Sequence, residues 1–169
     1  MKKMKYKIIT KKYSCLFLSL AMMVLFASCD QVESVPDDSD ILISEVTGTW
    51  VVDMTQDGEP QGTNTISTYN TGANDKNQVW LDDLENGWGL RAKVPLDLQA
   101  LTFSGSGLDE LYYDVTVDIT EGKIIKAAAT TPSGDVVDSI FFKAEFSDIP
   151  GEIWEYSGHK STAKVDDLP

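Results

Sequence analysis

The sequence predicts an all-β protein, an antiparallel meander of about eight to nine short strands that closes on itself as a barrel. Three observations carry this expectation. From Ile41 onward no window holds the apolar stripe of a helix. Apolar residues instead recur at every second position in four windows. Turn signals then break the chain every 10–15 residues. Connections that short join antiparallel neighbours. Closure removes open edges that would pair with other chains. A two-sheet sandwich is the alternative.

The first element is an address. Residues 1–28 carry six lysines and no acid. Met1 to Ser14 is basic and polar, and Cys15 to Phe26 is an apolar run of 12 residues. That run is too short to span a hydrocarbon core of about 30 Å. With the small Ala27-Ser28 after it, the segment reads as a secretory signal. Leu25-Phe26-Ala27-Ser28-Cys29 resembles the lipobox of bacterial lipoproteins, with Phe26 where a leucine is usual. The resemblance implies cleavage before Cys29 and acylation of its sulfur. An ordinary secreted protein cut nearby is the other reading. No other cysteine follows, so the anchor would consume a thiol that is otherwise a liability. The expected address is the bacterial cell envelope, lipid-anchored at the outer membrane, with the face left open.

Residues 29–40 read as an acidic, flexible tether, because nothing in them offsets the entropy of ordering. Acids beside the cysteine also resemble an export signal of surface lipoproteins from some gut anaerobes. Residues 41–162 read as the barrel and 163–169 as a frayed tail.

Within the barrel, Val46, Gly48, Trp50, Val52 and Met54 share one face of the first strand. Trp88, Leu90, Ala92 and Val94 share a face of another. So do Leu111, Tyr113, Val115, Val117 and Ile119, and then Val136, Ile140, Phe142, Ala144 and Phe146. Weaker strands are expected at 63–70, 77–82, 98–104, 123–130 and 152–160. The expected turns are Asp57-Gly58, Gly72, Asn86-Gly87, Gly105-Ser106-Gly107, Glu121-Gly122, Pro132-Ser133-Gly134 and Pro150-Gly151.

Charge excludes some functions. Beyond residue 28, 8 basic residues face all 27 acids, a net of −19. No nucleic-acid partner is expected of such a chain, nor docking on anionic lipid through basic residues. Chemistry is sparse. His159 is the only histidine and the one weak candidate for a catalytic base. No Gly-x-Ser-x-Gly elbow accompanies it. One histidine and one acylated cysteine build no ordinary zinc site. Asp82, Asp83 and Glu85 could ligate calcium, but their spacing is not that of an EF-hand. No metal and no cofactor are expected. Trp80, Tyr112, Phe141 and Trp154 fall opposite the apolar faces. Clustered at the surface, such rings would mark a face for a glycan or a surface protein.

Gly48-Thr49-Trp50 resembles the Gly-x-Trp opening of lipocalins and related calycin barrels, where the tryptophan closes one end, often against an arginine. Arg91 is the only arginine. A wider resemblance runs through Ile66-Ser-Thr-Tyr-Asn-Thr-Gly-Ala-Asn74, Val79-Trp80-Leu81-Asp82, Trp88, Thr102-Phe103, Gly122-Lys123-Ile124, Ser133-Gly134 and Asp138-Ser139-Ile140. In that order these resemble a family of small lipoproteins from gut anaerobes, the lipid-binding putative hydrolases with a calycin-like barrel. Members carry a Gly-x-Arg-x-Thr-Gly segment near the end. Here it is Gly158-His159-Lys160-Ser161-Thr162-Ala163, with lysine for arginine. Asp138-Ser139-Ile140 also resembles an O-glycosylation triplet of those bacteria.

The resemblance implies a barrel that binds a lipid or other small apolar ligand; the residues lend the hydrolase part of the family's description no support, so a membrane-anchored, non-catalytic binding barrel is the expectation. The ligand chain would lie against Trp50, Trp88, Tyr113, Val115, Val117, Phe142 and Phe146 if the barrel is hollow. A scaffold for a glycan or protein partner is the alternative, and a weak esterase using His159 the second.

Overall fold

A computed structural model describes residues 40–169, which form one compact unit with its own core. Eight strands build it: β1 Gly48–Gln56, β2 Glu59–Tyr69, β3 Gln78–Asp82, β4 Arg91–Asp97, β5 Thr102–Asp109, β6 Thr116–Thr130, β7 Val136–Phe146 and β8 Trp154–Lys160. Each pairs antiparallel with the next, and β8 returns to β1 from Trp50↔Lys160 to Gln56↔Trp154. The sheet is a closed barrel, not a sandwich. Period-two alternation explains it: Trp50, Val52, Ile66, Ala92, Val94, Ile119, Phe142, Phe146 and Tyr156 all turn inward and have essentially no accessible surface.

Two expected turns are bulges inside strands. Glu121-Gly122 lies within β6, where the register with β7 shifts between Thr120 and Lys123. Glu121 takes φ +55°, and a Cβ on Gly122 would meet the Phe103 carbonyl oxygen at 2.1 Å. Only glycine lets β5 approach there. Residues 116–120 and 123–130, expected in two separate strands, are therefore one strand, so eight strands stand where nine were counted. Gly105-Ser106-Gly107 likewise sits within β5, at its own register shifts.

The segment Leu111–Val115 departs from the expectation too. It lies outside the ladder, because the buried Glu110 carboxylate accepts from the backbone N–H of Arg91, Tyr112 and Tyr113 and draws the chain into a local turn. Val136, expected inward, is exposed. Trp154 turns inward rather than outward.

The two ends differ. The described chain begins at one end, where the 3-10 turn Ser44–Val46 seats Ile43 and Val46 in the core. Trp50 lies beside them and donates its indole N–H to Thr68 Oγ1 at 2.9 Å; Thr68 donates onward to the Val46 carbonyl at 2.6 Å. Lys160 Nζ sits 5.9 Å over the Trp50 ring. Lysine thus takes the place over the tryptophan, while Arg91 bonds Tyr69 and pairs with Asp82 elsewhere. The tail expected to fray is held at this end. Asp167 is buried and accepts from the Ser133 N–H and hydroxyl, both at 2.7 Å, and from Thr162 Oγ1 at 2.5 Å. We call this the sealed end. The opposite end, the mouth, is ringed by the hairpin at 57–58 and by the loops 83–90, 110–115 and 147–153.

Candidate functional site

Interior residues with no accessible surface line no space that water could enter. Trp50, Val117, Phe142 and Phe146 are of this kind, so four of the seven residues expected to touch a ligand lie in packed core. Phe142 stacks on Tyr156 at 4.5 Å and against Phe103 at 5.9 Å. Val115 is half-buried against this core. The structure carries the remaining two, Trp88 and Tyr113, out to the mouth.

There they meet. Trp88 belongs to the 83–90 loop rather than to a strand. It is 38% exposed, with its ring 5.4 Å from Trp154 and 6.4 Å from Phe146. Tyr113, 55% exposed, packs its ring against Gly89. Gly89 takes φ +94°, and a Cβ would meet Tyr113 Cε2 at 2.5 Å, so glycine is required twice over. Gly87, Trp88, Tyr113 and Asp148 line a cleft of about 420 Å³. Leu84 and Leu111, 44% and 54% exposed, lie on the same ring of loops. Exposed large apolar residues gathered on one end mark a binding surface more strongly than the same residues scattered.

Asp83 ties the 83–90 loop together. Its carboxylate accepts from the Glu85 N–H at 3.0 Å and the Gly89 N–H at 2.8 Å, and it is 1% exposed. Burial pushes its carboxyl up, against the opposing pull of those backbone bonds. Asn86 Nδ2 donates to the Thr65 carbonyl and fastens the loop to β2. Leu84 and Glu85 stand at φ +57° and +56°, a left-handed pair that ordinary side chains adopt only under constraint.

A second surface lies on the outer face of β3 and β4. Trp80 stacks on Tyr69 at 6.2 Å, with Lys93 Nζ 5.3 Å and the Arg91 guanidinium 5.7 Å from its ring. Tyr69 and Tyr112 both donate to Asp82, at 2.8 and 2.7 Å. Trp80, Lys93, Leu108 and Leu111 contribute to a cleft of about 390 Å³. Tyr112 thus meets Tyr69, the stacking partner of Trp80, at Asp82. Phe141 does not join them; it sits on β7 beneath Lys123 and Lys143. The oxygens of Asp82 and Asp83 are engaged by these partners rather than converging on a cation site.

His159 lies on β8 opposite Ser139 and Val51, and its Nδ1 lies 3.2 Å from the Lys160 carbonyl. Asp138 binds Lys126 and the Ala127 N–H instead. Histidine, serine and acid are thus neighbours in register without forming a relay. Cys29 lies outside the described residues.

The sequence points to Trp88 and Tyr113 as ligand-facing, but context hides their place at the mouth. Trp88 continues the alternation of Leu90, Ala92 and Val94, which reads as strand. The signal against this was its setting, an apolar ring between Gly87 and Gly89 in a turn-coding stretch that also holds Leu84 among acids.

The model of a family described as lipid-binding putative hydrolase matches residues 35–163. No curated protein matches the sequence.

Proposed function

The chain belongs to the lipid-binding putative hydrolase family, and from that premise we propose that it is a membrane-tethered, non-catalytic protein that takes a lipid at the mouth of its barrel. The observation that carries this reading is the meeting of exposed Trp88 and Tyr113 in the cleft at that end, with exposed Leu84 and Leu111 on the same ring of loops. The packed interior argues for the mouth rather than the barrel axis. An acyl chain laid on Trp88 and Tyr113 that buries about 200 Å² gains up to about 5 kcal/mol before ordering costs. Acylated Cys29 and the residues 30–39 would hold the barrel at a membrane. His159 without an acid partner supports binding over hydrolysis.

The test is native mass spectrometry of a chain that starts at Val35, before and after organic extraction. A co-purifying lipid lost on extraction, and absent from Trp88→Ala, is the expected result. An apo mass that ignores added fatty acids, glycerides and phospholipids would overturn the reading. The Trp80 platform favours one other reading, a sugar ring stacked on the outer face of β3 and β4. Glycan-array binding abolished by Trp80→Ala but not by Trp88→Ala would select it.

A further inference from the structure

Four buried side-chain polar atoms among the described residues lack a hydrogen-bond partner. Native proteins leave few such atoms, and each one calls for a reason. Two of them, Trp154 Nε1 and Tyr156 Oη, are two residues apart on β8, and both side chains turn inward. Both lie under the 83–90 loop. The Trp88 ring covers Trp154. Met54, the β1 partner of Tyr156, touches the loop where a Cβ on Gly87 would meet its sulfur at 2.9 Å. Asp83 is close enough that its charge, after burial, pushes the Tyr156 hydroxyl pKa further up.

We infer that residues 84–90 form a lid, and that beneath it Trp154 Nε1, Tyr156 Oη and Asp83 at the base of the loop, its carboxylate freed when the Glu85 and Gly89 N–H groups move away, form the polar end of a site for an uncharged, hydroxyl-bearing lipid head such as that of a monoacylglycerol. This rests on the mouth being the lipid site. The chemistry selects the head. The indole N–H can only donate, the phenol can donate or accept, and the carboxylate can only accept. A hydroxyl both accepts from the ring groups and donates to Asp83. A carboxylate or phosphate head would lie beside the Asp83 charge in a domain that is already strongly acidic. The lid has the means to open. Most of its bonds are internal, from Glu85, Asn86 and Gly89 to Asp83 and from Asp83 to Leu90, and only the Asn86 side chain bonds another strand, at Thr65, beside the packing of Trp88 on Trp154 and Phe146. Opening would release the left-handed pair Leu84 and Glu85.

The experiment compares a 1-monoacylglycerol, the fatty acid of the same chain length and the matching hydrocarbon. Each is titrated below its aggregation concentration into the chain from Val35, with tryptophan fluorescence as the readout. Wild type should prefer the glyceride to the acid by at least about tenfold. Tyr156→Phe should lose roughly tenfold for the glyceride alone, the worth of about one hydrogen bond. Its unfolding midpoint should hold or rise, because the lost hydroxyl had no partner. Amides of Glu85, Asn86 and Gly89 should lose hydrogen-exchange protection when the glyceride is added. Equal affinity for glyceride and acid, an unchanged Tyr156→Phe, or retained protection would overturn the inference. If the hydrocarbon and acid still bind in a Trp88-dependent manner, the mouth reading survives without it. Binding of none of the three overturns both.

Discussion

The barrel carries a tryptophan near each end, and the two are treated oppositely. Trp50 at the sealed end has its N–H matched to Thr68, and Thr68 is matched to Val46. Trp154 under the mouth is also buried, yet its N–H is unmatched. The acids repeat the contrast. Asp167 at the sealed end is also buried, which would lift its pKa, but the Thr162 and Ser133 donors hold it well below the usual carboxylate range. Asp83 at the mouth is pushed up. The sealed end pairs its buried tryptophan and its buried acid, although Thr71 Oγ1 in the loop there has no partner. The mouth leaves the Trp154 and Tyr156 donors beneath it unpaired at a cost in stability, which fits the proposed binding site.

The largest effect should separate the tryptophans themselves. Trp50→Ala removes a fully buried ring and should cost about 3–5 kcal/mol in urea unfolding. Trp88→Ala, at a ring already 38% exposed, should cost about 1 kcal/mol or less while abolishing lipid binding. Equal losses from both would erase the distinction between the ends.

Thr68→Val comes next. It leaves the Trp50 N–H buried and unpaired and should cost about 1–3 kcal/mol. Set beside the unharmed Tyr156→Phe, it turns the contrast in pairing into a contrast in midpoints. A stable Thr68→Val would show that the matched bond is idle.

Acid should then divide the ends by sign. Asp83 has a folded pKa above its ordinary 3.8, so its contribution is full below about pH 3.8 and is lost as pH rises through the folded value. Asp167 has a lowered pKa, so its contribution is present above pH 3.8 and is lost as pH falls. On acidification from pH 6, the amides of Glu85 and Gly89 should gain protection down to about pH 3.8. The Ser133 amide should lose it below that. Parallel loss at both ends would contradict the assignment.

The smallest effect is at Lys160. Replacing it with methionine removes the cation over Trp50 and should cost about 0.5–1 kcal/mol, recovered by arginine. No change with methionine would make the lysine only a cover for the ring.

Most of the barrel was legible because β1, β4 and the second half of β7 turn every second apolar side chain into the core, and alternation records that directly. The errors arose where one residue pattern serves two structures. Glu121-Gly122 has the composition of a hairpin turn. It forms a bulge because Phe103 on the neighbouring strand needs the space of a missing Cβ, which is a long-range fact. The alternation from Leu111 to Ile119 is real on paper, but Glu110 gathers three backbone N–H groups and delays β6 to Thr116. The tail looked polar and free, yet Asp167 closes on Ser133, 34 residues earlier. The mouth was the least legible part. Its defining feature is hydrogen bonds that are not made, and sequence does not record those.

The pairing of β8 with β1 also governs how the molecule can be made. Val51 meets His159 across more than a hundred residues of chain. Contacts that distant form slowly, because the loop between them must be closed before the pairing rewards it. Until Trp154–Lys160 exists, β1 and β7 are both open edges. A growing chain therefore has no closed intermediate in which to rest. Closure waits for β8, and the 165–167 turn that follows it then ties Asp167 to Ser133 at the sealed end.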